Sequence, residues 1–161
     1  MKRIEANDPV AMSHKGTKSF HEGDCKAAFE YWTKAVILGD VEAHHQLSVM
    51  YRDGQGVEKD EERELYHTEQ AAIGGHPDSR NNLGCIEKEY KRMNRAAKHF
   101  IIAAKLGHDR SLGNTKALYK DGLISKDDFA AALRDHHAAI EATKSPQRDA
   151  AYVFDKKYNE T

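Results

Sequence analysis

The chain has 161 residues, 39% hydrophobic and 32% charged, with a formal net charge of −1. So balanced a charge argues against nucleic acid as the main partner, because phosphate binding needs a basic excess. No apolar run approaches the ~20 residues that span a bilayer, and two distant cysteines, Cys25 and Cys85, make no disulfide framework.

Only three prolines and many Ala, Lys and Glu predict helix almost throughout. Residues 1–7 form a lead-in with no apolar segment to act as a signal peptide, so cytoplasm or nucleus is the expected location. Asp8-Pro9 opens a first helix, since Asp accepts free N–H groups and Pro tolerates the first helical position. It stops at Glu22-Gly23. Asp24 caps a second helix with Ala28, Phe29, Trp32, Ala35 and Val36 at helical spacing. Asp40 caps a third, with Ala43, Leu47, Met50 and Tyr51 on one face. The turn Asp53–Asp60 carries Gly54, Gly56 and a lone apolar Val57, expected to plug between helices. Asp60 caps the fourth helix, which ends at Gly74-Gly75, and His76-Pro77 starts the fifth.

The sixth helix runs from about Met93 to Leu106, with Ala96, Phe100 and Ala103 in register. The seventh carries Leu112, Ala117, Leu118 and Tyr119 and breaks at Lys120-Asp121-Gly122. Ser125–Asp128 reads as a capping box with Asp in place of Glu, opening an eighth helix. Ser145-Pro146 reads as a further start, giving a last capping helix over 145–161.

Four segments repeat one pattern. Gly16, Ser48, Gly84 and Lys116 are equivalent, with intervals of 32, 36 and 32 residues. A period in this range predicts a stack of helical hairpins. The expected architecture is an all-α superhelix, a right-handed solenoid of about four antiparallel hairpins (8–40, 41–76, 77–108 and 109–144) closed by the C-terminal helix.

The pattern resembles the Sel-1-like repeat, a relative of the tetratricopeptide repeat. The fullest match is Ala43-x-x-x-Leu47-Ser48-x-x-Tyr51-x-x-Gly54-x-Gly56-Val57-x-x-Asp60, followed by Ala71-Ala72-x-x-Gly75-His76. Several positions depart from it. Lys15 and Thr115 stand for Leu, and Ser48 and Lys116 for a small Gly. Glu64, His67 and Thr68 replace an Ala and two aromatics, which makes the fourth helix the poorest fit. Lys91 stands where a turn Gly is common. A narrower resemblance, to diatom-type Sel-1-like proteins, rests on residues 1–9, 71–76 and 144–148. In many of those a RING-like zinc module precedes the repeats, and two cysteines cannot supply its ligands.

The resemblance implies a non-enzymatic adaptor, with a protein or peptide partner lying in the groove lined by the first helix of each hairpin. Carried over position by position, that groove takes Ser13 and Thr17, then Glu42, His45, Val49 and Arg52, then Asp78, Asn81, Cys85 and Lys88. Arg52, Asn81 and Lys88 would donate to a peptide carboxylate or carbonyl. The competing readings are the substrate-recruiting arm of a RING-type ubiquitin ligase and a hydrolase-like enzyme. A monomer is expected, without cofactor or metal. The ten histidines include no i,i+3 or i,i+4 pair, so no two share one helical face as metal ligands. No phosphate loop or nucleophile motif is present.

Overall fold

The computed structural model describes residues 8–159, with side chains as far as residue 144; the lead-in 1–7 lies outside the described residues, and the side chains of the expected capping helix 145–161 lie outside the described side chains. Eight helices follow in order: α1 (Pro9–His21), α2 (Cys25–Ile37), α3 (Val41–Asp53), α4 (Glu61–Ile73), α5 (Pro77–Glu89), α6 (Met93–Lys105), α7 (Asp109–Lys120) and α8 (Lys126–Asn159). The described residues contain no strand.

The starts of α1 to α4 and of α8 are built as their sequences predict. A helix leaves its first N–H groups unpaired, and a carboxylate just before it satisfies them. Asp8 accepts from Val10 N at 3.0 Å, Asp24 from Ala27 N at 2.9 Å, Asp40 from Ala43 N at 2.6 Å and Asp60 from Arg63 N at 2.9 Å. Ser125 Oγ accepts from Asp128 N at 3.0 Å and donates to its carboxylate at 2.7 Å.

The chain forms two compact units that divide within α5, between Leu83 and Gly84. In the first, α2 packs on both α1 and α3, and α3 packs on α4. Its core is Ala28, Trp32, Ala35, Ala43, Leu47 and Met50, with Met12, Phe20, Cys25, Phe29, Val36 and Val57 packed around it. Val57 thus plugs the core as expected. The turn that carries it lies so close to α2 that a Cβ on Gly56 would meet Cys25 Cβ at 2.6 Å, and Gly56 also holds φ +74°. Both facts demand glycine there.

In the second unit, α6 packs on α7 and α8, and α7 on α8. The core is Ala96, Ala97, Phe100 and Leu118, with Cys85, Met93 and Ile124 against it.

One local expectation is corrected by the fold. Helix α8 runs unbroken through Ser145-Pro146. That pair carries a start signal, but nothing before it stops a helix: Glu141-Ala142-Thr143-Lys144 favours continuation. The proline costs one backbone hydrogen bond instead of a break. On α4, Thr68 occupies the buried position held by Trp32 on α2 and Phe100 on α6. It satisfies its hydroxyl on Glu64 O at 2.8 Å. Leu65 and Tyr66 are left exposed.

Candidate functional site

The predicted groove residues separate into two groups. Ser13 and Asn81 are buried, each 2% exposed, so neither side chain reaches a partner. Ser13 instead offers its carbonyl to the Trp32 indole N–H at 3.2 Å and to Thr17 Oγ1 at 3.1 Å. The resemblance placed Ser13 in the groove by its position on the first helix; the packing of α2 on α1 turns that position inward. Cys85 is half-buried against the second unit's core, and burial raises its thiol pKa. Glu42, Arg52, Asp78 and Lys88 are exposed, and Thr17, His45 and Val49 are half-buried. Arg52 pairs with its neighbour Asp53, Nε to Oδ1 at 2.9 Å.

Within the first unit the groove residues of α3 meet the start of α5. The His45 and His76 rings stack at 4.1 Å between centroids, 19° from parallel. His45 Nδ1 lies 2.9 Å from Ser79 Oγ. His76 is the N-cap of α5: its Nδ1 faces Ser79 N at 3.3 Å and Ser79 Oγ at 3.3 Å. A backbone N–H can only donate, so Nδ1 is the acceptor and Nε2 carries the hydrogen. Nε2–H then donates to Glu42 Oε2 at 3.1 Å. That bond, with a second from Gln46 at 2.6 Å and the nearby imidazoles, holds the Glu42 carboxyl at about 2 against the opposing effect of burial. Burial lowers the His45 pKa, and the like charge of His76 adds to it.

This cluster has the composition of two chemical sites and the geometry of neither. His45, His76 and Asp78 bring ligand atoms within 4.8 Å of one another, a grouping invisible to a search for pairs on one helix. Yet both nitrogens of His76 are engaged, one of them in capping a helix. The same cap recurs at α7, where His108 Nδ1 faces Ser111 N at 3.1 Å and Ser111 Oγ at 2.8 Å. The histidine therefore starts the first helix of two hairpins, where Asp8 and Asp40 do the same for the other two. Glu42, His76 and Ser79 also line up as carboxylate, imidazole and hydroxyl. Ser79 is 0% exposed, so no substrate carbonyl reaches its oxygen.

Six successive 13-residue helices, from α1 to α6, with small residues at their close approaches define a helical-repeat protein. Residues 11–40, 41–76 and 78–108 each match the Sel1 repeat, more than half of the chain, which therefore belongs to the Sel1 repeat family. No curated protein matches it. Among solved structures, a Sel1 repeat protein from Oxalobacter formigenes superposes with a TM-score of 0.70 at 20% identity, covering 84% of this chain and 60% of that one. The protein c5321, a protective antigen of uropathogenic Escherichia coli strains with an SLR fold, superposes with a TM-score of 0.64 at 23% identity. That match covers 96% of this chain and 34% of the other, so the chain spans less than two thirds of the length of either protein. These likenesses establish the fold, an all-α Sel1-type solenoid. No helix among the described residues is long and apolar enough to cross a membrane.

Proposed function

We propose that this chain is a non-enzymatic adaptor that holds a protein or peptide partner on the first-helix faces of its hairpins. The reading rests on membership of the Sel1 repeat family, whose fold generally mediates protein–protein interaction. One observation carries it to residues. Along α3 and the start of α5, side chains of opposite charge, Glu42, Arg52 and Asp78, stand exposed beside half-buried His45 and Val49. Apolar surface rimmed by ordered polar groups is what a docked peptide needs. Glu42 is already oriented by His76 and Gln46, so less side-chain entropy is lost on binding. The chain acts as a monomer in the cytoplasm or nucleus, and Arg52 donates to a partner carboxylate or carbonyl.

The test is affinity capture with the whole chain and with an Arg52→Glu/Asp78→Lys variant, both checked for helix content. A discrete partner that the parent retains and the variant loses supports the reading. Capture unaffected by both charge reversals, or no partner at all, overturns it.

A further inference from the structure

We propose that the contact between His44 on α3 and His67 on α4 is an acid-sensitive latch, closed while the pair carries at most one excess proton and broken by the second. The two Nδ1 atoms lie 2.9 Å apart. One must donate and the other accept, so the contact exists only while one ring keeps a lone pair on Nδ1. The neutral pair satisfies this. So does a pair with one extra proton placed on an Nε2. The doubly protonated pair does not, because two N–H groups would point at each other.

The surroundings oppose charging the pair. Both rings are half-buried. His67 stacks on Tyr51 at 5.8 Å, 10° from parallel, and stands edge-on to Tyr66 at 5.1 Å; His44 also meets Tyr66 edge-on, at 6.2 Å. The Arg63 guanidinium lies over the same Tyr51 ring at 5.6 Å and bonds its hydroxyl at 3.2 Å, a fixed positive charge next to His67. Two carboxylates oppose this: Asp40, at the start of α3, acts on His44, and Asp60, at the start of α4, pairs with Arg63 at 3.3 Å. From α2, Phe29 meets Tyr51 edge-on and brings no charge. On α3 itself His45 is turned to α5, where it meets Ser79. Burial is the main cause lowering both imidazoles; for His67, whose pKa falls to about 4, the charges of His44 and Arg63 follow.

The sign follows from linkage. Histidines of an unfolded chain take protons near pH 6.5, and the folded pair resists until lower pH. The unfolded state then binds more protons, so the stability of the α3–α4 hairpin falls as pH drops from about 6.5 towards 4. This hairpin carries Arg52 and Glu42, so its loosening would also release whatever docks there. The latch itself does not depend on a partner.

Thermal melts at pH 7.5 and 5.0 test it on the parent chain, His67→Phe and His44→Gln. Phe keeps the ring stack with no proton to take. Between the two pH values the parent should lose about 3 °C or more beyond what either variant loses. Because each protein is compared with itself, a lower starting stability of a variant does not affect the result. Amide exchange at the same pH values localises the change: protection should fall in α3 and α4 more than in α1. Equal pH dependence in all three proteins, or a loss of protection spread evenly over the chain, overturns the latch.

Discussion

Gly16 and Trp32 approach so closely that a Cβ on the glycine would lie 2.6 Å from the indole Nε1. Gly84 and Phe100 repeat the relationship in the second unit, with the ring Cε1 at 2.6 Å. In both cases a small residue on the first helix of a hairpin lets an aromatic on the second come up against its backbone. A rigid ring cannot yield as a flexible chain end would. Gly16→Ala and Gly84→Ala should each destabilise by about 1–3 kcal/mol in chemical denaturation. A loss within error would mean that the rings move freely.

The aromatics themselves carry more. Trp32 is 1% exposed and Phe100 2%. Truncation of either to Ala should cost about 3–5 kcal/mol, the transfer of the ring plus the cavity it leaves. For Trp32 the Ser13 carbonyl also loses its indole donor. Loss below about 1 kcal/mol in denaturant titration contradicts the packing described.

Lys91 is a non-glycine residue at φ +58°, in a helix-ending turn where Lys91 N reaches Lys88 O and Arg92 N reaches Glu87 O. Gly23, at φ +85°, closes α1 with the same pair of bonds, Gly23 N to Phe20 O and Asp24 N to Ser19 O. Left-handed backbone costs an ordinary residue about 1–2 kcal/mol, and glycine gives back about 0.4–1 kcal/mol through the unfolded chain. Lys91→Gly should therefore raise stability modestly, by about 0.5–1 kcal/mol. A lower melting temperature would show that the Lys91 side chain makes a compensating contact.

Glu42 gives a separate acid dependence. Its folded carboxyl titrates at about 2, below the ordinary 4.5, because of the His76 hydrogen bond first of all. A depressed carboxyl contributes stability above its unfolded pKa and loses it as pH falls through the folded value. The contribution should fade between about pH 4.5 and 2, and Glu42→Gln should flatten the melting curve in that window while leaving the window from 6.5 to 4.5 to the histidines. Identical acid limbs for the two proteins would mean that the bond to His76 contributes nothing in solution.

The departures from the repeat pattern read differently once folded. Lys91 was visible as a missing glycine, and the turn is built all the same, at the cost of a strained residue. Ser48 and Thr68 are both buried where Gly and an aromatic stand in neighbouring hairpins. The second hairpin thus lacks a large ring at that position, and its aromatic contacts gather around Tyr51, Tyr66, His44 and His67.

Most helix boundaries, caps and the buried aromatics follow from local rules: an acidic residue before each of α1 to α4, a glycine after most helices, apolar side chains three or four apart. Those signals sit within a few residues of one another, so a single chain displays them. The His44–His67 contact spans 23 residues, and the His45–His76–Asp78 cluster joins two helices. No local spacing announces either, because both depend on how one helix is rotated against the next. The same rotation sends Ser13 and Asn81 inward while Glu42 and Arg52 stay in water. That choice belongs to packing, which selects among the faces of each helix the one that fills space best.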